Sequence, residues 1–183
     1  CGRRGSRTRA PLCLTRRLAP CGAAPGALRR GVPDTRRHRG PHPEDEALFA
    51  PPQLPALREA VADLSWLLSR GYKEGSALKL VGDRLALTER QRRAVLRSAC
   101  SDASLAGRRG REVSLAGLAG QPVAIDGFNL IATLEVALSG GFVLCGRDGC
   151  RRDIAGLHGS YRRVEETVPA ARLVARTLLG AGA

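Results

Sequence analysis

The sequence predicts an α/β chain, mostly helical, in which a small helical module precedes the first part of an α/β domain. Three observations carry that expectation. Leu57, Val61, Leu64, Leu67 and Leu68 recur at helical spacing and form one apolar face. Thr88-Glu89-Arg90-Gln91 is a capping-box pattern, Thr at the N-cap and Gln three residues on, which opens another helix. Val123-Ala124-Ile125 is a short apolar run that ends directly on Asp126-Gly127, the pattern of a buried strand, a tight turn and a following helix.

Residues 1–52 are rich in Arg, Pro and Gly and lack apolar periodicity, so they read as a disordered basic tail. Residues 1–43 hold 11 Arg against one Asp, whereas residues 112–183 balance at seven charges of each sign. Most of the net charge of +13 therefore sits in the tail, and it is a weak pointer to nucleic-acid binding by the folded part. Such an acid-poor stretch is similar to a transit peptide, or to an arm that binds phosphates. The chain has no Met and starts at Cys1, which favours a spurious upstream extension. No apolar run approaches the length of a membrane span, so no membrane partner is expected. Six Cys without a compact framework or a secretory signal read as reduced thiols in a cytoplasmic protein.

The helical module is expected over residues 54–102. Its first helix ends at Gly71, a C-terminal stop. Trp66 lies beside the apolar stripe and reads as packing. Ser76 caps a short second helix, Ala77 to Val81, closed by Gly82. The third helix runs from Thr88 to about Cys100 on Ala94, Val95 and Leu96, with Arg90, Arg92, Arg93 and Arg97 around the rest of it. Two readings compete: a helix-turn-helix whose basic third helix enters a groove, and a helical bundle with a solvated Arg face. The second is the commoner arrangement. Residues 103–121, containing Gly and Arg, read as a linker.

The α/β part is expected over residues 122–183. A strand that delivers Asp126 to its C-terminal end would place the carboxylate where open α/β sheets bind ligands. The competing reading makes Asp126 the cap of the next helix. Asn129 is the only Asn in the chain. That helix packs through Leu130, Ile131, Leu134 and Leu138, carries Glu135, and stops at Gly140-Gly141. Phe142-Val143-Leu144-Cys145 reads as a second strand and Gly146-Arg147-Asp148-Gly149 as a reversal, with Asp148 a turn residue. A last amphipathic helix covers about Pro169 to Leu179. Cys145, Cys150 and His158 offer at most three zinc ligands at loose spacing. Walker and Rossmann fingerprints are absent.

Several stretches together resemble an uncharacterised prokaryotic family, domain-of-unknown-function family four-thirty-four. They are Ser69-Arg70-Gly71-Tyr72, Ser76-Ala77-Leu78-Lys79-Leu80-Val81-Gly82, Leu87-Thr88, Arg90-Gln91-Arg92 and Ala99-Cys100-Ser101-Asp102. The match continues through Ile125-Asp126-Gly127-Phe128-Asn129, Glu135-Val136-Ala137-Leu138, Gly140-Gly141, Arg147-Asp148-Gly149, Arg152-Asp153-Ile154, His158-Gly159 and Tyr161 to Thr167. The resemblance spans about Leu57 to Leu179.

What the resemblance implies is a helical module before a PIN-like α/β/α domain, C-terminally truncated here. PIN-like domains hold Mg2+ or Mn2+ on clustered carboxylates and hydrolyse phosphodiester bonds. Hard divalent cations take oxygen ligands, and a metal pair activates water and stabilises the leaving oxygen. By that resemblance Asp126, Asn129, Glu135 and Asp153 are the catalytic candidates, with Asp126 and Asp153 as metal ligands. Arg152, Arg162 and Arg163 are the phosphate contacts, Arg being suited to bidentate recognition. Two functions of different class follow. One is a metal-dependent nuclease acting on RNA rather than DNA. The other is a non-catalytic nucleic-acid-binding or scaffold protein with a degenerate PIN-like domain. Acids converging at strand ends favour the first; acids dispersed or buried in ion pairs favour the second.

Overall fold

The computed structural model describes residues 14–15, 38–154 and 161–183. The chain is mostly helical and divides into two compact units. The first comprises Pro43–Glu112 together with Leu144–Ile154, and the second comprises Val113–Val143 with residues 38–42 and 161–183.

In the first unit, α1 (Asp45–Leu48) leads through a 3-10 turn at Pro51–Gln53 into α2 (Leu54–Ser69), followed by α3 (Glu74–Arg84), α4 (Glu89–Ser98) and α5 (Asp102–Arg109). The predicted stripe is the buried face of α2: Leu57, Val61, Leu64 and Leu67 are buried, and α3, α4 and α5 all pack on this helix. Trp66 is instead half-exposed, with the Arg70 guanidinium 3.5 Å above its ring. The capping box forms as its sequence requires: the Thr88 side chain accepts from the Gln91 amide, and the Gln91 side chain accepts from the Thr88 amide at 3.1 Å.

Three expectations need correction in this unit. The tail read as disordered through residue 52 is folded from α1 onward. Asp45 is buried and takes both Arg90 Nε and Arg90 Nη2, Phe49 is buried, and Gln91 Nε2 donates to the Leu48 carbonyl at 2.9 Å. Those contacts join residues more than 40 positions apart, which no local pattern reveals. The rest of the tail, with Cys1, Cys13 and Cys21, lies almost wholly outside the described residues. Second, α3 runs through Gly82 to Arg84. A Cβ at Gly82 would meet the Arg92 guanidinium, which would have to shift to make room. Third, the stretch read as a linker carries α5, capped by Ser101, whose Oγ accepts from the Ser104 amide at 3.2 Å.

The remaining piece of the first unit is a hairpin. Strands β2 (Val143–Cys145) and β3 (Arg151–Arg152) pair antiparallel, Leu144 opposite Arg152 and Cys145 opposite Arg151. A two-residue strand β1 (Leu14–Thr15) completes the sheet order β1-β2-β3. The Asp-Gly reversal is as expected, with Gly149 at φ +81°.

In the second unit a 3-10 turn at Leu115–Leu118 precedes α6 (Gly127–Leu138), and α7 (Thr167–Ala181) packs on both. Val123-Ala124-Ile125 is not a strand; it is extended, exposed chain. A strand is stable only when its N–H and C=O groups find a ladder, and no described residue supplies one there. Among the described residues no helix is long and apolar enough to cross a membrane.

Candidate functional site

In the second unit, Asp126 is the N-cap of α6 rather than a strand end. Its Oδ1 accepts from the Asn129 amide at 3.4 Å and its Oδ2 accepts from Asn129 Nδ2 at 2.6 Å. This satisfies one of the orphan donors of the first turn. Both side chains are exposed. Asp126 and Asn129 are therefore brought together, with the Asn129 amide side chain holding the Asp126 carboxylate.

Glu135 is not part of that pair. Nine residues separate it from Asp126, which at 3.6 residues per turn is about half a turn out of phase and roughly 13 Å along the axis. It points into the unit with 0% exposure. There it accepts from Arg39 Nε, from the Tyr161 hydroxyl at 2.6 Å and from Thr167 Oγ1 at 2.5 Å. Three donors, one of them charged, are what a fully buried carboxylate needs. Burial, then the hydrogen bond to Glu135, pushes the Tyr161 hydroxyl above its usual range.

Arg39 is the second half of this hub. Its Nη2 donates to the Arg162 carbonyl at 2.6 Å, its carbonyl accepts from Ser139 Oγ at 2.5 Å, and its guanidinium lies 4.9 Å over the Tyr161 ring. Beside it His38 Nδ1 stands 2.6 Å from Glu166 and Nε2 3.5 Å from Glu165. The bond to Glu166, and then the charge of Glu165, raise the affinity of His38 for its proton. His38 and Arg39 thus tie their segment onto α6 and the approach to α7.

Arg162 and Arg163 are exposed and form no ion pair with a described residue. Next to them Tyr161 packs edge-on against Phe128, with centroids 5.4 Å apart and planes at 70°. Phe128 is 71% exposed.

Asp153 and Arg152 belong to the first unit. Asp153 is buried and faces Arg97 Nη2 at 3.4 Å. Arg152 donates to both oxygens of Asp148 at 2.8 and 2.7 Å. Asp148 is more than a turn residue. Its buried side chain also takes Arg108 Nη1 at 2.6 Å and the Cys150 amide at 3.1 Å. The hydrogen bonds from Arg152 lead the effects that hold its carboxyl far below the ordinary carboxylate range. Arg147 anchors the same hairpin: its amide reaches the Ser98 carbonyl at 2.8 Å, and its guanidinium reaches the Cys100 carbonyl at 2.8 Å and Asp102 at 2.5 Å. A Cβ at Gly146 would meet Arg152 Nη1 at 2.5 Å and Asp148 Oδ1 at 2.8 Å, so a larger residue there would push on this ion pair.

The basic face of α4 is likewise occupied within its own unit. Arg90 pairs with Asp45, Arg92 with Asp83, Arg93 with Glu89 and Arg97 with Asp153. Arg92 Nε also donates to the Leu87 carbonyl at 2.9 Å, closing the chain just past α3. These contacts favour the helical-bundle reading of the module over a groove-reading helix. Among the described residues no three His, Cys, Asp or Glu side chains gather where one ion could be held. Cys145 is half-buried and Cys150 exposed, while His158 lies outside the described residues.

Arg39, Phe128, Tyr161 and Thr167 were not singled out by sequence reasoning. The available signal was composition: aromatics are 3% of the chain, and two of them fall within or beside the stretches that flank Asp126 and Arg162.

Comparison with known proteins divides the chain in a related way. Residues 56–111 match a family described as "Protein of unknown function (DUF434)". Residues 115–183 match one described as "Domain of unknown function (DUF5616)". The chain is 28% identical over 107 residues to the uncharacterised protein MJ0935 of Methanocaldococcus jannaschii, covering 58% of this chain and 51% of that protein. It therefore spans about half the length of this relative. No solved structure matches the chain.

Proposed function

We propose that this chain binds single-stranded RNA without cleaving it, as a non-catalytic nucleic-acid-binding protein. One observation carries the reading: the acids that would join Asp126 in a metal site are committed to the fold. Glu135 is held by Arg39, Tyr161 and Thr167 on the far side of α6, and Asp153 faces Arg97 in the other unit. A cation at Glu135 would have to displace the Arg39 guanidinium and leave it largely buried without a counter-charge, a costly exchange, and one at Asp153 would have to displace Arg97. Attraction for phosphate comes from the ten Arg among residues 1–37 and from exposed Arg162 and Arg163.

The nuclease reading keeps one supporting feature, the exposed Asp126 braced by Asn129. In that reading Asp126 holds Mg2+ or Mn2+ and a PIN-like domain surrounds it. The two are separated by incubating end-labelled single-stranded RNA with the protein in Mn2+, beside Asp126→Ala. The binding reading predicts intact RNA with both proteins. Cleavage that disappears in the variant and on chelation would overturn it.

A further inference from the structure

We infer that the exposed face formed by Phe128, Tyr161, Arg162 and Arg163 is a stacking platform for an unpaired nucleobase of single-stranded nucleic acid. The inference rests on the binding reading above and gives it a site.

The face has the chemistry such binding uses. Phe128 presents its ring to solvent from the first turn of α6. Every base has a π-face, so a free aromatic ring captures bases with little regard to sequence, and flanking Arg side chains take the backbone phosphates. The ring is also pre-set. Tyr161 supports it edge-on, and Tyr161 is itself held by its hydroxyl on Glu135 and by Arg39 across its face. An aromatic braced in this way loses little freedom on binding. Asp126 and Asn129, exposed at the same helix start, offer an acceptor and a donor to a base edge.

Charge selects the occupant. Arg162 and Arg163 are exposed beside Tyr161 and form no ion pair with a described residue, and residues 1–37 of the sequence carry ten further Arg. That points to a polyanion rather than a second apolar surface.

The test is fluorescence anisotropy of a labelled single-stranded RNA 12-mer titrated with the full chain and with Phe128→Ala, Phe128→Trp and Arg162→Gln/Arg163→Gln. A single-stranded DNA 12-mer and the RNA duplex serve as further arms. Phe128→Ala removes an exposed ring and leaves the buried hub in place, so the fold survives. It is expected to weaken single-strand binding roughly 5- to 100-fold, the range for loss of one base stack. Phe128→Trp should restore it, the arginine variant should weaken it and flatten its salt dependence, and the duplex should bind the wild type and Phe128→Ala alike. Comparable RNA and DNA affinities identify a platform that reads bases without the 2′-hydroxyl; preference for RNA identifies a contact to that group. Wild-type binding left unchanged by Phe128→Ala overturns the platform and leaves the binding reading standing. No binding by the wild type overturns both. A self-association that Phe128→Ala abolishes, measured by sedimentation, assigns the face to a second copy of the chain and also overturns it.

Discussion

The two units use their charges in opposite ways. In the first, arginine after arginine faces a carboxylate of the same unit: Arg84 with Glu59 and Asp63, Arg90 with Asp45, Arg92 with Asp83, Arg97 with Asp153, Arg108 and Arg152 with Asp148. In the second, ionic structure is concentrated in one buried hub at Glu135 and in the His38 pair, while Arg162, Arg163 and Phe128 stand open. The difference teaches that a count of arginines says little about function until each has been assigned a partner. The more basic module is built from internal ion pairs. The charge-balanced part carries the free surface.

The comparison breaks most sharply at the two hubs. Glu135→Ala leaves Arg39 largely buried beside an empty space and removes the acceptor of Tyr161 and Thr167. It is expected to cost about 3–5 kcal/mol, the range for breaking a buried pair from one side, read by denaturant unfolding of the full chain. The loss should be confined to the second unit, with amide exchange accelerated in α6 and α7 and unchanged in α2.

Asp148→Asn is the counterpart in the first unit, expected to cost about 2–4 kcal/mol because a neutral amide leaves the Arg108 and Arg152 guanidiniums without their counter-charge. It also carries a pH signature. The folded carboxyl titrates below its unfolded value, so its contribution is complete above about pH 4 and is lost as pH falls further. The stability of the wild type should therefore drop between about pH 4 and 2 more steeply than that of Asp148→Asn. Parallel acid limbs would show that Asp148 is not the anchor of the hairpin.

Smaller effects sharpen the contrast. Thr88→Ala removes the side-chain half of the capping box, the Oγ1 acceptor of the Gln91 amide, and should cost about 1 kcal/mol. Asp126→Ala loses only an exposed cap and should cost no more than that, far below Glu135→Ala, although both acids lie on one helix. A larger penalty at Asp126 would signal an unrecognised structural or ligand role. The smallest change is at His38. Its proton affinity is raised in the folded chain, so its link to Glu166 is fully present at acid pH and fades as pH rises through the folded value. A proton NMR titration should place His38 above a model imidazole, and Glu166→Gln should bring it down.

What the sequence made legible is local. The capping box at Thr88, the leucine stripe of α2 and the Asp-Gly reversal at 148–149 each lie within a few residues, and each appears where expected. The cap reading of Asp126 was legible for the same reason. The strand at Val123–Ile125 was misread because three apolar residues give a preference, whereas a strand needs a neighbour. The hubs were invisible because their halves lie far apart: 96 positions separate Arg39 from Glu135, and 56 separate Arg97 from Asp153.

The most direct measurement records binding and integrity in one reaction. Labelled single-stranded RNA is saturated with the full chain in Mn2+, the shift is read on a native gel, and the same sample is then run under denaturing conditions. The account predicts a salt-sensitive complex from which full-length RNA is recovered. Shortened products that Asp126→Ala abolishes would contradict it.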